Sequence, residues 1–126
     1  MSVLVDTSVW IEYFRRGHHS ENLEFLIDQN LIVINDLILA ELIPALTVRR
    51  RRDIVKLLST IRKLVLSIQW NQIIEFQVKC LEKGLNGIGV PDLIIAQNAK
   101  QNECAIYSLD HHFKMIKGLL ELQLME

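Results

Sequence analysis

Short apolar runs recur along the chain, and between them apolar residues return every three or four positions. The runs are rich in Val, Ile and Leu and contain few polar residues, which is typical of strands buried on both faces. They predict strands at Ser2–Val5, Leu31–Ile34, Leu64–Ile68 and Ala105–Ser108, and Leu119–Leu124 would add a fifth, edge strand. Strands that alternate with helices favour a parallel sheet of four to five strands with helices on both faces, an α/β fold.

The segments between these runs place apolar residues at i, i+3 and i+4, the spacing of one helical face. They predict helices at Ser8–Arg15, from a cap at Ser20 to about Asn30, at Leu37–Val48, Asp53–Lys63, Asn71–Lys83 and Pro91–Gln101, and a short helix that opens at Asp110. The core of this sheet is expected to include Trp10, Phe14, Trp70, Ile73, Ile74, Val78 and Leu81.

The composition is that of a folded globular protein, with 126 residues of which 50% are hydrophobic. This length suits one domain that spans residues 1–126. No apolar run approaches the ~18–20 residues that cross a membrane, and the first strand follows Met1 almost at once. We therefore expect a cytoplasmic protein without a signal peptide. Cys80 and Cys104 lack metal-ligand spacing, so two buried thiols are the simplest interpretation.

Three aspartates are expected at one edge of the predicted sheet. Asp6 ends the first strand beside a helix N-terminus, and Asp110 follows the strand that ends near Ser108. The carboxyl ends of parallel strands meet at one edge, where α/β proteins bind their ligands. Asp92 lies in the first turn of a helix, where the helix dipole favours a carboxylate. Taken singly, each of these residues also fits an ordinary helix cap or first-turn residue.

Glu41 is the fourth acidic candidate and is less easily explained as a cap. Its neighbours in the predicted helix are mostly apolar, and no Lys or Arg lies within one helical turn of it. A carboxylate in such surroundings costs free energy unless it is paired or binds a metal, although a partly exposed helix would also accommodate it. Together the four acids predict an all-oxygen site that suits Mg²⁺ or Mn²⁺, ions that support phosphoryl chemistry.

Four segments of the chain resemble the PIN-domain family, and the chain is similar in size to the VapC-type toxins of type II toxin–antitoxin pairs. The segments extend from one end of the chain to the other, in the family's order and spacing. They are Val5-Asp6-Thr7-Ser8-Val9-Trp10-Ile11, Leu39-Ala40-Glu41-Leu42, Pro91-Asp92-Leu93-Ile94-Ile95-Ala96 and Ser108-Leu109-Asp110-His111-His112-Phe113.

This resemblance implies a five-stranded parallel sheet and a single-strand-specific endoribonuclease that needs Mg²⁺ or Mn²⁺. It also implies a homodimer and a cognate VapB-type antitoxin as partner. Asp6, Glu41, Asp92 and Asp110 match the family's acidic positions, and Ser8 matches a hydroxyl that often supports the site. Many relatives have a further acid where this chain has His112, which leaves one or two metal ions as alternatives.

Two other features have open interpretations. Formal net charge is −1, so RNA would have to bind through a local patch or through metal ions. The run formed by Arg49, Arg50, Arg51 and Arg52 is either a solvated helix end or a patch that contacts phosphates. The histidines at 18, 19, 111 and 112 lack a metal-ligand motif and are interpreted as surface residues, with His112 as a weak candidate for orienting a substrate phosphate.

Other functions are compatible with an aspartate at a strand end. A phosphatase of the haloacid dehalogenase type would need a second Asp two residues after Asp6, where Ser8 stands. A receiver domain would need an acidic pair near the first strand, and Asp6 has no acidic neighbour. A stand-alone RNA-processing nuclease and a non-catalytic binding module of the same fold remain the alternatives to a toxin.

Overall fold

Four short strands form one parallel sheet in the computed structural model of the chain, which describes residues 1–16 and 20–125. The strands are β1 (Val3–Val5), β2 (Ile32–Ile34), β3 (Arg62–Lys63) and β4 (Ala105–Tyr107), in the spatial order β3-β2-β1-β4. Every residue of β1, β2 and β4 is buried. The predicted α/β class and its parallel sheet are therefore confirmed, with four strands in the described part of the chain.

Helices connect the strands and account for most of the described residues. They are α1 (Thr7–Arg16), α2 (Ser20–Asp28), α3 (Asp36–Val48), α4 (Arg52–Ser59), α5 (Trp70–Glu82), α6 (Val90–Gln101) and α7 (His111–Leu120). None of the helices described is long and apolar enough to cross a membrane. Trp10 is fully buried, Phe14 packs against the core, and both cysteines are buried and free, as the sequence predicts. His18 and His19 lie outside the described residues.

The centre of the sheet determines where the candidate site forms. β1 pairs with β2 on one side and with β4 on the other, with Leu4 opposite Ile106 and Val5 opposite Tyr107. The backbone N–H of Asp6 donates to the Tyr107 carbonyl oxygen at 2.9 Å, which extends the ladder by one residue. Asp6 and the segment that follows β4 are consequently neighbours at the carboxyl edge.

The third strand lies earlier in the chain than predicted, and the helix before it is shorter. It spans Arg62–Lys63 instead of Leu64–Ile68, and α4 ends at Ser59. The strand β2 has only three residues, so the ladder ends once the N–H of Leu64 donates to the Ile34 carbonyl oxygen at 2.7 Å. Both residues of β3 are exposed, and charged residues are common on such edge strands because they discourage pairing with other chains.

The C-terminal segment forms a single bridge instead of the proposed strand at Leu119–Leu124. The helix α7 continues to Leu120 and ends at Glu121, which has a left-handed backbone (φ 56°). Beyond it, only Leu124 pairs with Ile106, in parallel orientation. The Ile106 N–H donates to the Gln123 carbonyl oxygen at 2.8 Å, so this segment covers the outer edge of β4.

The inward face of α5 differs from the predicted one. The helix begins at Trp70 and buries Ile73, Phe76 and Cys80. Ile74, Val78 and Leu81 were expected to face the core but are 61%, 46% and 54% exposed, and Trp70 is 58% exposed. Two apolar stripes share this helix, and only one can face the core. The exposed stripe is called the α5 apolar face below; it consists of Trp70, Ile74, Val78 and Leu81.

Candidate acidic site at the carboxyl edge of the sheet

Four carboxylates are delivered to the carboxyl edge by four different elements. Asp6 directly precedes α1, Glu41 lies in the second turn of α3, Asp92 lies in the first turn of α6, and Asp110 is the N-cap of α7. Electrostatic coupling links them: the charges of Asp6 and Asp92 act on Glu41, and those of Asp110 and Asp6 act on Asp92. The structure therefore brings together all four acids that the sequence singles out.

Asp6 is buried and is held by two serine hydroxyls. Its Oδ2 accepts a hydrogen bond from Ser8 Oγ at 3.0 Å and another from Ser108 Oγ at 2.8 Å. Each hydroxyl in turn accepts a backbone N–H, from Leu109 in the case of Ser8 and from Asp110 in the case of Ser108. Because these N–H groups can only donate, the hydroxyl protons are free to point at the carboxylate. Ser8 was expected at the site, whereas Ser108 was not predicted to take part, although it begins one of the four segments that resemble the PIN-domain family.

Glu41 is exposed at the surface, not enclosed in the apolar helix. α3 buries Ile38, Leu42 and Leu46, and Glu41 lies on a different side. Its Oε1 accepts a hydrogen bond from Thr7 Oγ1 at 3.0 Å. Partial desolvation raises the pKa of the Glu41 carboxyl, with smaller contributions from the nearby negative charges, while the Thr7 hydrogen bond opposes the shift. Of the two interpretations of Glu41, a carboxylate within a mostly buried helix and one on a partly exposed helix, the structure shows the second.

Asp92, Asp110 and His112 form a compact cluster. His112 Nδ1 lies 3.3 Å from Asp92 Oδ2 and 3.4 Å from Asp110 Oδ1. The side chains of Asp92, Asp110 and His112 are 21%, 33% and 29% exposed, so all three still reach solvent. Burial raises the pKa of Asp92, and the Asp110 charge adds to this effect while His112 opposes it. His112 is therefore part of the site, which corrects its interpretation as a surface residue; His111, 77% exposed, fits that interpretation.

Buried amides hold the two helices that carry Glu41 and Asp92 in place. Asn35 caps α3 by accepting the Ile38 N–H at 2.9 Å, and its Nδ2 donates to Asn98 Oδ1 at 2.9 Å. Asn98, in α6, donates to the Val65 carbonyl oxygen at 3.1 Å. Asn35 and Asn98 are almost fully buried, so these bonds satisfy groups that would otherwise be costly to bury. The sequence predicts a cap at Asn35 or Asp36, but nothing in it marks Asn98.

The arginine run lies away from the acidic cluster. Glu41 and Val48 are separated by about 10 Å of helix at 1.5 Å per residue, and the run follows Val48. Arg51 pairs with Asp53 at 3.1 Å and lies 3.5 Å from the Phe14 carbonyl oxygen. Arg49, Arg50 and Arg52 are exposed, and two of them line a cleft between α3 and α4 together with Lys56. One arginine thus has a structural role, and three remain available to a partner.

The donor set of the cluster fits a divalent metal ion. Asp92, Asp110 and His112 each offer one ligand atom, and these atoms all lie within 4.8 Å of one another. When two ligand atoms each lie ~2.1–2.2 Å from an ion and form a right angle at it, they are about 3 Å from each other. The observed separations of 3.3 and 3.4 Å are close to that value, so small side-chain adjustments suffice.

The chain is a parallel α/β domain with carboxylates gathered at the carboxyl edge of its central strands. The PIN domain family profile matches residues 3–119, which is nearly the whole chain. The chain therefore belongs to the PIN domain family. No curated protein sequence matches it.

Several solved structures share the fold over essentially the whole chain. VapBC2 from Rickettsia felis, bound to a DNA fragment from its promoter, has a TM-score of 0.79 and 24% identity, covering 99% of this chain and 98% of that one. DNA-bound VapBC from Salmonella typhimurium has a TM-score of 0.76 and 17% identity, covering 99% and 97%. VapBC-1 from nontypeable Haemophilus influenzae has a TM-score of 0.72 and 20% identity, covering 100% and 98%. At these identities the likeness establishes the fold.

Proposed function

We propose that this protein is an endoribonuclease that cleaves single-stranded RNA and requires Mg²⁺ or Mn²⁺. The observation that carries the proposal is the cluster of three ligand atoms within 4.8 Å of one another, at the edge where Asp6 and Glu41 add further negative charge. Membership of the PIN domain family supports a nuclease. An RNA strand could not approach these carboxylates closely without cations to offset their charge.

Each site residue has a distinct part in this proposal. Asp92 and Asp110 would hold a metal, while the nearby charges of Asp6 and Glu41 would strengthen its binding. Ser8 and Ser108 would fix the Asp6 carboxylate through their hydrogen bonds of 3.0 and 2.8 Å. When bound, a divalent metal would activate a water molecule and stabilise the charge that develops on the leaving oxygen. The pKa values of Asp92 and Glu41 are raised, so both carboxyl groups lose their protons at a higher pH than usual. The affinity of the site for metal should therefore increase as pH rises.

Removal of divalent metal should abolish RNA cleavage. We expect the purified protein to cut a single-stranded RNA in millimolar Mg²⁺ or Mn²⁺, to stop in excess EDTA, and to recover when metal is restored. The reason is that carboxylates alone cannot neutralise the phosphate at the reacting centre. The measurement is a gel assay with an end-labelled oligoribonucleotide, with the matching duplex and the DNA of the same sequence as controls. Full activity in excess EDTA would contradict the assignment.

We propose further that the chain acts in the cytoplasm as the toxin of a toxin–antitoxin pair and binds a VapB-type antitoxin. The support is that similar structures are VapBC complexes which match this chain almost end to end. A stand-alone RNA-processing nuclease is the alternative. A small gene directly upstream, encoding a DNA-binding protein with an apolar C-terminal segment, would distinguish the two, since a processing enzyme needs no such neighbour.

The α5 apolar face is the surface that we propose for a homodimer. Trp70, Ile74, Val78 and Leu81 are each about half exposed, and large exposed apolar stripes commonly mark protein interfaces. An Ile74→Lys variant should be monomeric at concentrations at which the parent is a dimer, because lysine would place a charge at the centre of the contact. Light scattering after size-exclusion chromatography measures this. Phe25→Lys, at an exposed apolar residue on α2, is the control and should stay dimeric. A parent that is monomeric at every concentration would contradict the proposal.

The exposed arginines are proposed to contact RNA phosphates at a distance from the cleaved bond. Arg50, Arg52 and Lys56 line one cleft, and three cations close together can bind several phosphates of one strand. These residues would contribute to RNA affinity and not to the chemical step. The reason is that Arg50 and Arg52 come after the C-terminal end of α3, whereas Glu41 lies near its N-terminal end. Arg51 is excluded from this role since it is paired with Asp53.

A further inference from the structure

We infer that His112 is a direct metal ligand, so that the site binds its ion through two carboxylate oxygens and one imidazole nitrogen and prefers Mn²⁺ to Mg²⁺. The inference rests on the proposed function, which requires a divalent metal at this cluster. It adds a ligand of a different chemical kind from the oxygens that the sequence predicts.

The geometry around His112 carries this inference. Its Nδ1 is the ring atom that faces the cluster, at 3.3 Å from Asp92 Oδ2 and 3.4 Å from Asp110 Oδ1. A histidine that only paired with one carboxylate would approach that oxygen alone, at about 2.8–3.0 Å. Here Nδ1 is nearly equidistant from two oxygens, and neither distance is that of a strong charge-assisted bond. Three donor atoms within 4.8 Å of one another can belong to one coordination shell.

The backbone fixes the position from which the ring reaches the cluster. The N–H of His112 donates to Asp110 Oδ1 at 2.9 Å, so the histidine is tied to the same N-cap that supplies a ligand oxygen. The other ring nitrogen, Nε2, faces the loop that precedes α6 and lies 3.7 Å from the point where a Cβ on Gly87 would stand. The imidazole ring therefore lies between the two carboxylates on its Nδ1 side and Gly87 on its Nε2 side. His111, one residue earlier, is 77% exposed and lies 4.0 Å from Asp110.

The chemistry of the ligands determines the metal preference. Mg²⁺ demands oxygen ligands and near-ideal octahedral geometry, whereas imidazole suits transition metals. Two carboxylates and one neutral imidazole also balance the two positive charges of the ion. A site of this composition should bind Mn²⁺ more tightly than Mg²⁺ by about tenfold or more, following the softer character of the nitrogen donor. An acid at position 112 would instead favour Mg²⁺.

Pulsed electron paramagnetic resonance of bound Mn²⁺ tests the ligand directly. We expect the metal-free full-length protein, loaded with Mn²⁺, to show the hyperfine coupling of a coordinated imidazole nitrogen. His112→Asp should lose that coupling and keep a bound ion, and its preference for Mn²⁺ over Mg²⁺, measured by calorimetry, should fall about tenfold. His111→Asp is the matched control, with the same substitution one residue away, and should retain both properties.

Three results would overturn the inference. Two of them leave the proposed nuclease function intact, and the third rejects it as well. Mn²⁺ binding by the parent without nitrogen coupling, or unchanged metal preference in His112→Asp, rejects His112 as a ligand and leaves the proposed nuclease intact. Failure of the parent to bind either ion at millimolar concentration rejects both. His112→Ala provides a check on folding: it should melt near the parent without metal, yet bind Mn²⁺ at least about tenfold more weakly, as the loss of a supporting group does at other metal sites.

Discussion

The Asp92→Asn variant is expected to cleave RNA at least about 10³-fold more slowly than the parent at saturating metal. Asp92 lies at the centre of the acidic cluster, since Asp110, His112 and Asp6 all act on it. An amide keeps the shape of the side chain but supplies no negative charge to the ion. Metal stabilisation of the reacting phosphate contributes several kcal/mol, and each 1.4 kcal/mol corresponds to about a factor of ten in rate.

This loss can be separated from a general defect by two comparisons. Asp6→Asn removes a second carboxylate and should be similarly inactive, whereas Asp28→Asn removes an exposed carboxylate on α2 and should cleave RNA like the parent. Initial rates with a labelled single-stranded RNA, over a range of Mn²⁺ concentrations, are the measurement. If Asp92→Asn and Asp6→Asn both stay within about twofold of the parent, the carboxylates have no catalytic part and the proposed site is wrong.

The order of strands and helices could be predicted because each buried strand is a continuous apolar run. Val3–Val5, Ile32–Ile34 and Ala105–Tyr107 are all fully buried, so their sequence pattern is determined by burial alone. The position of Asp6 at the end of β1 follows from the same pattern. Residue-level prediction fails at β3, because Arg62 and Lys63 form an exposed edge strand that pairs only with β2 and is not selected for burial.

The inward face of α5 could not be predicted because two stripes of the helix are apolar. Periodicity identifies an amphipathic helix only when its other side is polar. Ile73 and Ile74 are adjacent and chemically identical, yet Ile73 is 3% exposed and Ile74 61%. The choice is made by packing against α6 and α7, which involves residues distant in sequence. Sequence periodicity therefore identifies α5 as a helix but not which of its two apolar stripes is buried.

The composition of the site could be predicted for the acids but not for the groups that hold them. Asp6, Asp92 and Asp110 carry charge and stand at element ends, and Glu41 stands among apolar residues of a helix, so all four are visible in the sequence. Ser108 supports Asp6 through a single hydroxyl, and Asn98 positions α6 through a buried amide. These residue types are common everywhere in proteins. Their roles depend on contacts over 102 and 63 residues of sequence separation.

The acidic cluster should destabilise the metal-free protein at neutral pH. The pKa values of Glu41 and Asp92 are raised above their ordinary values of 4.5 and 3.8, mainly by desolvation. The folded state therefore binds protons more readily than the unfolded chain. The stability that these two groups contribute is fully present below their ordinary pKa values and is lost as pH rises through the raised ones.

Asp92→Asn should consequently stabilise the metal-free protein at pH 7, even though it abolishes activity. Asparagine carries no charge to desolvate and is not repelled by Asp110, and these gains exceed the lost attraction to His112 because desolvation is the largest influence on the Asp92 pKa. The difference in melting temperature between variant and parent should shrink as pH falls toward about 4, because Asp92 then takes up a proton in the folded protein and the cost of burying its charge is lost. Because variant and parent are measured at the same pH, the pH dependence of groups that do not interact with Asp92 cancels in this difference.

Addition of metal should reverse the order of stability at pH 7. Mn²⁺ at 100 times its dissociation constant adds about 2.7 kcal/mol to the parent, which is about 10 °C for a chain of this size. Asp92→Asn should show little shift, because it lacks a principal ligand. Thermal melts of both proteins in EDTA and in millimolar Mn²⁺, at pH 7 and near pH 4, make the measurement, with Asp28→Asn as the control expected to follow the parent. If metal-free Asp92→Asn melts clearly below the parent and keeps the full Mn²⁺ shift, then Asp92 serves the fold as a first-turn residue of α6 and does not bind the metal.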